Sequence, residues 1–552
     1  ARRSHEGPSM RFLTAVAALA LALPAAAQES GFDPARLSQH IRILAADDYQ
    51  GRGIATPAED RVIGYMSGAM AAAGLEPGGE NGGWTQAVTL NRFTASNVQA
   101  RLSVGDWTLP LVQGEQIVVS TRRPGQSQVS VIDAPLVFVG YGIRAPERDW
   151  DDFKGQDMTG KILVVLVNDA DFEEPALDTF GGRAMTYYGR WTYKYEEAAR
   201  QGAAGVIIVH EEAPASYGWT TVRNSWSGPN FDIVREDASE RVSVESWVQR
   251  DVAVELFQRA GLDFDTLKAR ARSRDFQPVA LDGAELDVLF DVASQRIETR
   301  NIVGRLPGTT HPDETILFTG HWDHIGVGTP DAEGDAIFNG AVDNASGIAG
   351  LLELARIAGA APRNERSLVF IGFTAEESGL LGSEYYAANP LYPLETTVGG
   401  FNMDSANVYG RTRHLGVIGY GQSDFDARLE TVAAIQGRTI EPDQSTQAGF
   451  YFRSDHFPLA KRGVPMVYAK SSGPFVDEPV AMRTAARDDY TARRYHQAND
   501  EWSADWDYRG QSQDLEVYWS IARDLANSRE WPQWMPTSEF AAARASSEAV
   551  RD

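Results

Sequence analysis

Hydrophobic and polar positions divide the chain into stretches of different period. Leu37, Ile41 and Ile43-Leu44 recur at helical spacing and break at the turn-rich DDYQGRG segment (residues 47–53). A second helical period follows over residues 62–73 and stops at Gly74, a residue suited to a position just past a helix. Over residues 85–120 the pattern becomes strand-like. From about residue 130 the texture changes again. Short apolar runs bounded by Gly or Pro (135–142 and 160–168) predict buried strands, and EEAARQG (196–202) leading into AAGVIIVH (203–210) predicts a helix followed by a strand. Residues 301–306, 314–320 and 367–373 read as strands, with a helix over 345–358 between them. Strands alternating with helices predict an α/β fold, a mixed but mostly parallel twisted sheet covered by helices on both faces. The stretch after Trp534 is rich in Ala, Ser and Glu and is expected to be loosely held.

Met10-Arg11, an apolar run over 12–23 and the Pro-Ala-Ala-Ala-Gln that follows it read as a secretory signal, so residues 1–27 are assigned to upstream residues and a signal peptide. The run is shorter than the ~20 residues a membrane-spanning helix needs, and no other segment has the required purity. The expected destination is the periplasm or the medium.

Composition narrows the chemistry. The chain has 552 residues, 51 Lys+Arg, 76 Asp+Glu and a net charge of −25. That balance argues against nucleic-acid binding, which rewards basic surfaces. With 43% hydrophobic residues it has ample material for a core. The absence of cysteine removes disulfides, thiolate nucleophiles and Cys-held metals, so any metal must be bound by His, Asp and Glu.

Five motifs fit that restriction. They are GHWDH (320–324), GAVDNASG (340–347), TAEESG (374–379), NMDS (402–405) and YHQAND (495–500), and the first four lie at or near the ends of apolar strands or open a helix. Open α/β sheets gather their ligand sites at the C-terminal strand edge. Two imidazoles and three or more carboxylates suit zinc or a similar divalent ion. Five donors are too many for one tetrahedral ion that must keep a water, and suit two ions sharing a carboxylate. A spare carboxylate in the Glu376-Glu377 pair fits a general base.

The ordered motif set resembles the co-catalytic di-zinc aminopeptidases, whose wider family includes glutamate carboxypeptidase, glutaminyl cyclase and the transferrin receptor. The resemblance covers about 30–115 and 290–530. The stretch between resembles a protease-associated domain, a β-rich module inserted into some peptidases. It implies a zinc exopeptidase fold with an N-terminal part at 28–125, an insert at 126–290, a catalytic domain at 291–533 and a tail at 534–552. By the same resemblance His321 and Asp404 are terminal ligands of one Zn2+, Glu377 and His496 those of a second, and Asp343 the bridge. Glu376 matches the general base acting on the attacking water, and Asp323 and Asp500 match residues that orient the two ligand histidines. The segment YFRSDH (451–456) resembles a family segment in which Tyr451 helps stabilise the oxyanion; His456 is a candidate substrate contact, and His324 is expected to hydrogen-bond locally.

The activity this implies is removal of N-terminal residues from peptides. Three alternatives stay open: an acid-specific carboxypeptidase, a glutaminyl-cyclase-like enzyme and a non-catalytic receptor-like protein. Residues 184–195 and 216–231 concentrate Trp, Tyr and Arg, which suits either a substrate rim or interdomain packing. Oligomeric state is not legible.

Overall fold

The computed structural model describes residues 31–226 and 228–551; the signal-peptide assignment lies outside them. Two long strands organise the molecule. Thr85–Val104 and the 28-residue Val279–Leu306 run antiparallel along most of their length. Near its start Val279–Leu306 pairs with Gln128–Phe138, and at its end, Ile302 to Leu306, with Arg366–Phe373. One strand thus belongs to two halves of a single continuous sheet.

In the C-terminal half, Arg366–Phe373, His311–His321, Thr397–Asn402 and Met466–Phe475 are neighbours and mutually parallel. The antiparallel Thr412–Ile418 continues the sheet, with Thr439–Pro442 at its edge. Every residue of Arg366–Phe373 is buried, as expected of a strand covered on both faces. Phe318 stacks on Phe370 and Phe401, with centroids 4.9 and 5.6 Å apart, across three adjacent strands. One face is closed by helices Pro34–Leu44, Pro57–Ala72, Gly347–Ala360 and Arg509–Ala526, which bury Leu37, Met66, Leu351 and Ile521 in one core. The opposite face is covered by Leu381–Ala388 and His456–Lys461. The expected helix over 345–358 forms, and Pro57–Ala72 stops just before Gly74, whose φ is +85°.

The other half is α/β as well. Gln128–Phe138, Ile162–Leu166, Gly205–His210 and Val244–Gln249 are parallel neighbours, with Ile117–Ser120 antiparallel at the edge. Helices Trp191–Arg200, Arg250–Arg259 and Phe264–Arg270 pack on them. The second core draws residues from Phe93 through Val292, including Leu102 and Ile117.

The segment after Trp534 is held, contrary to the expectation from its composition. Trp534 and Phe540 are buried, and the buried Arg544 donates from Nη2 to Thr397 O at 2.9 Å. Two aromatic anchors and one cation facing backbone carbonyls outweigh the weak average hydrophobicity of the segment. No helix among the described residues is long and apolar enough to cross a membrane.

Candidate metal centre

Strand order explains how distant motifs meet. His321 ends its strand opposite Phe373, and Thr319 pairs with Asn402 on the other side. Three adjacent parallel strands therefore deliver His321, Glu376-Glu377 and Asp404 to one edge. Asp343 arrives from the turn before helix Gly347–Ala360, and His496 from the loop after Tyr490–Arg494. The turn needs Gly340: its φ is +56°, and a Cβ there would overlap the Asp343 carbonyl and the His324 ring.

The five expected ligands converge. His321 Nε2 lies 3.3 Å from Asp343 Oδ1 and 3.6 Å from Asp404 Oδ1. His496 Nε2 lies 3.2 Å from Asp343 Oδ2 and 3.1 Å from Glu377 Oε2. Asp343 thus turns one oxygen to each histidine. These spacings suit shared ions: donors at ~2.0–2.1 Å from a tetrahedral zinc stand about 3.4 Å from one another. The buried His321 Nε2 has no hydrogen-bond partner, as a nitrogen aimed at an ion would have none. The N/O donor set therefore fits zinc.

The charges are unevenly shared. Burial opposes ionisation of Glu377, but His496 and His324 beside it hold its carboxyl at about 2. Glu376 is pushed well above the usual range by burial and by Glu377, Asp404 and Asp455, against the pull of His321. Neighbouring carboxylates in one turn are thus driven apart, one suited to binding a cation and one to accepting a proton. Glu376 Oε2 is 3.9 Å from His321 Nε2.

Several supports differ from the sequence expectation. Asp500 does not touch His496: its carboxylate accepts from the amides of Val342 (3.0 Å) and Asp343 (3.1 Å), because the loop bearing it packs under the Asp343 turn. Asp323 accepts from the Glu376 and Glu377 amides at 3.1 and 3.4 Å and stands 3.8 Å from His321 Nδ1, which pairs instead with its backbone carbonyl at 3.2 Å. Both carboxylates hold ligand-bearing turns more directly than imidazoles. Tyr451 is not turned to the metal-site carboxylates. Its hydroxyl is buried without a partner, and its ring stacks on Phe540 (5.8 Å) and meets His456 edge-on (4.7 Å), drawn into the aromatic cluster with the C-terminal segment. His456 does not line an open cleft: it is fully buried between Tyr451 and Tyr468, and burial pushes it down to about 3, so it is neutral.

Further supports come from residues inside those segments and from others outside them. His324 binds Glu377, Nδ1 to Oε1 2.5 Å. Ser454 donates to Asp404 Oδ2 at 2.6 Å and accepts from Asn402 Nδ2, so the YFRSDH segment reaches the centre through its serine. Tyr468 and Lys470 donate to the Asp404 carbonyl, each at 3.3 Å. The buried Arg52 donates to Trp322 O (2.8 Å), Asn339 O (2.6 Å), Gly340 O (2.8 Å) and Leu44 O (2.9 Å), tying the His321 and Asp343 loops to the first helix. The only sequence signal for Arg52 is its place in a Gly-flanked turn.

Residues 301–520 match the model of peptidase family M28. A probable zinc metalloprotease of Pyrenophora tritici-repentis is 43% identical over 91 residues, 16% of this chain and 20% of that one. Aminopeptidase YwaD of Bacillus subtilis is 30% identical over 171 residues, 30% of this chain and 34% of that one. The chain therefore spans about a fifth to a third of the length of these curated relatives. Among solved structures, an aminopeptidase from Aneurinibacillus sp. strain AM-1 superposes with a TM-score of 0.51 at 19% identity, covering 90% of this chain and 94% of that one. This likeness establishes a shared fold.

Proposed function

We propose, from the match of residues 301–520 to the model of peptidase family M28 and from the site's geometry, that the protein is an exported, two-zinc aminopeptidase that hydrolyses N-terminal residues from peptides with Glu376 as general base. The observation that carries this reading is the placement of Asp343, one oxygen toward His321 and the other toward His496.

His321 and Asp404 on one side, His496 and Glu377 on the other, and Asp343 between them would hold two ions. Bound there, the ions supply positive charge that polarises the scissile carbonyl and acidifies water. The chain does the rest. His324 holds Glu377 Oε1 so that Oε2 faces His496. Asp323 fixes the turn bearing Glu376 through its amide. Burial among carboxylates gives Glu376 the proton affinity to take a proton from the attacking water and return it to the leaving amine. The export part of the proposal rests on the pattern of residues 10–28.

The complete five-donor set supports this over a one-zinc cyclase or a binding protein that has lost ligands. The test is mass-spectrometric product analysis of zinc-loaded protein on peptides with free and acetylated N termini. Stepwise N-terminal loss from the free peptides alone supports the aminopeptidase. Cleavage from the C terminus of both sets, or loss of water or ammonia without cleavage, overturns it. Cell fractionation of the full-length product tests export, and retention in the cytoplasm would refute it.

A further inference from the structure

The loop that brings Ser454 to Asp404 docks on residues 185–190 of the second core. Thr446 O accepts from the Met185 amide at 3.0 Å. Gly449, whose φ is +65°, faces the Met185 side chain so closely that a Cβ there would stand 2.6 Å from Sδ. The contact centres on Tyr187. Its ring lies 5.3 Å from Phe457 and 6.2 Å from Phe452 between centroids, and the two phenylalanines meet each other edge-on at 5.1 Å. Lys461 Nζ lies 5.0 Å from the centroid of the same ring. Phe457 and Lys461 are one turn apart on helix His456–Lys461 and share a face. Phe452 precedes Ser454 and Phe457 follows it, so Tyr187 packs on both sides of the serine.

The second core fixes Tyr187 in turn. Its hydroxyl donates to both oxygens of Glu196, at 2.9 Å each, on helix Trp191–Arg200. Thr186 Oγ1 donates to Asp169 Oδ2 at 3.1 Å, and the buried Lys194 donates from Nζ to Tyr188 O at 2.7 Å. On the other side of the loop, Ser454 is one link in a buried series. Thr319 donates to Asn402 Oδ1 at 2.8 Å, Asn402 Nδ2 donates to Ser454 Oγ at 2.8 Å, and Ser454 donates to Asp404 Oδ2 at 2.6 Å. The last bond occupies Oδ2 and leaves Oδ1, 3.6 Å from His321 Nε2, for a cation. Thr319 and Asn402 sit in paired strands, whereas Ser454 sits on a loop whose place depends on what packs against it. Its own half holds that loop at Asp455, which accepts from Ser383 at 2.6 Å; Tyr187 adds the hold from outside. A shift of about 1 Å would take the serine out of hydrogen-bonding reach of Asp404.

We propose that Tyr187 is a positioning residue of the metal centre: by bracing the loop on both sides of Ser454, it lets the second core set how tightly His321 and Asp404 hold their ion. The inference rests on the two-zinc reading above and gives the second core a part in the chemistry without any contact with the ions.

The test is zinc affinity, read by chelator competition on the full chain. Ser454→Ala should weaken one of two ions about 10–100-fold, and Tyr187→Ala should weaken one ion about tenfold and leave the other unchanged. The double variant should bind that ion no more than about threefold more weakly than Ser454→Ala alone, because both substitutions remove one support. Tyr187→Phe keeps the ring and should stay within about threefold of the parent. Met185→Ala loosens the same docking and serves in place of Tyr187→Ala if that chain does not fold. Val206→Ala lies in a core cluster that contains neither Tyr187 nor the loop; it should lower the melting temperature and leave both affinities as in the parent. Parent-like zinc binding by Tyr187→Ala, effects of the two substitutions that multiply, or an equal loss of zinc in Val206→Ala overturns the inference. A parent chain holding a single zinc refutes the two-zinc reading, and the inference then survives only if that ion weakens with both Tyr187→Ala and Ser454→Ala. A parent chain that binds none refutes both.

Discussion

His324 Nδ1 stands 2.5 Å from Glu377 Oε1, the imidazole fully buried and the carboxylate largely so. The contact fixes which carboxylate oxygen is left for a cation. His324→Ala frees Glu377 to rotate, and the affinity of the site formed by Glu377 and His496 should fall about 10–100-fold. Zinc content after dialysis against a graded chelator series measures this; two equivalents held as tightly as in the parent chain would show that the contact is dispensable.

Glu376→Gln preserves the shape of the turn and the amide bonds to Asp323 while removing the proton acceptor. Hydrolysis should drop about 10²–10⁴-fold with zinc content unchanged. Steady-state kinetics with parallel metal analysis decide it, and near-full activity would remove Glu376 from the base role.

Arg52 joins three segments through carbonyls, of which Gly340 O also accepts from the Ala345 amide. Arg52→Gln leaves several buried carbonyls unsatisfied, at about 1–3 kcal/mol each when water cannot reach them. A lowered urea midpoint and weakened zinc retention should appear together. A stable variant that binds zinc normally would contradict the bracing role.

Phe540 is 4% exposed, stacks on Tyr451 and meets Trp534 at a tilt. Phe540→Ala should destabilise the chain by about 3–5 kcal/mol, the usual cost of emptying a buried aromatic site. Denaturant unfolding checks the value, and an effect under ~0.5 kcal/mol would mean the C-terminal segment is not part of the core.

Acid stability should depend on Glu353. Burial raises its pKa, but hydrogen bonds from His40, Arg356 and Arg36 outweigh this and hold it at about 2, below its ordinary 4.5. A lowered folded-state value means that the stabilisation is complete above pH ~5 and is lost as the pH falls toward 2. Glu353→Gln should therefore be less stable than the parent by about 3 kcal/mol near neutrality, with the gap closing across that window. Thermal melts from pH 2 to pH 7 measure it, and a gap independent of pH would point to packing alone.

Much of this protein was legible along the chain. Apolar runs such as 367–373 are strands because nothing polar interrupts them, and His321, Asp343, Glu376, Glu377, Asp404 and His496 stand out because they follow such runs at Gly-rich turns. Local pattern reports how one segment prefers to be buried and where it must turn, and parallel neighbours then carry their ends to one edge. It does not report what a side chain meets from another part of the chain. The turn of Tyr451 toward Phe540, 89 positions away, the hold of Asp500 on the Asp343 turn, 157 away, and the docking of Trp534 on Gly463, 71 away, all join distant segments. In the sequence Arg52 is only a residue between two glycines in a turn. Only the tertiary structure surrounds it with carbonyls from Leu44, Trp322, Asn339 and Gly340, because the electrostatic partner of a buried charge is set by packing between distant segments.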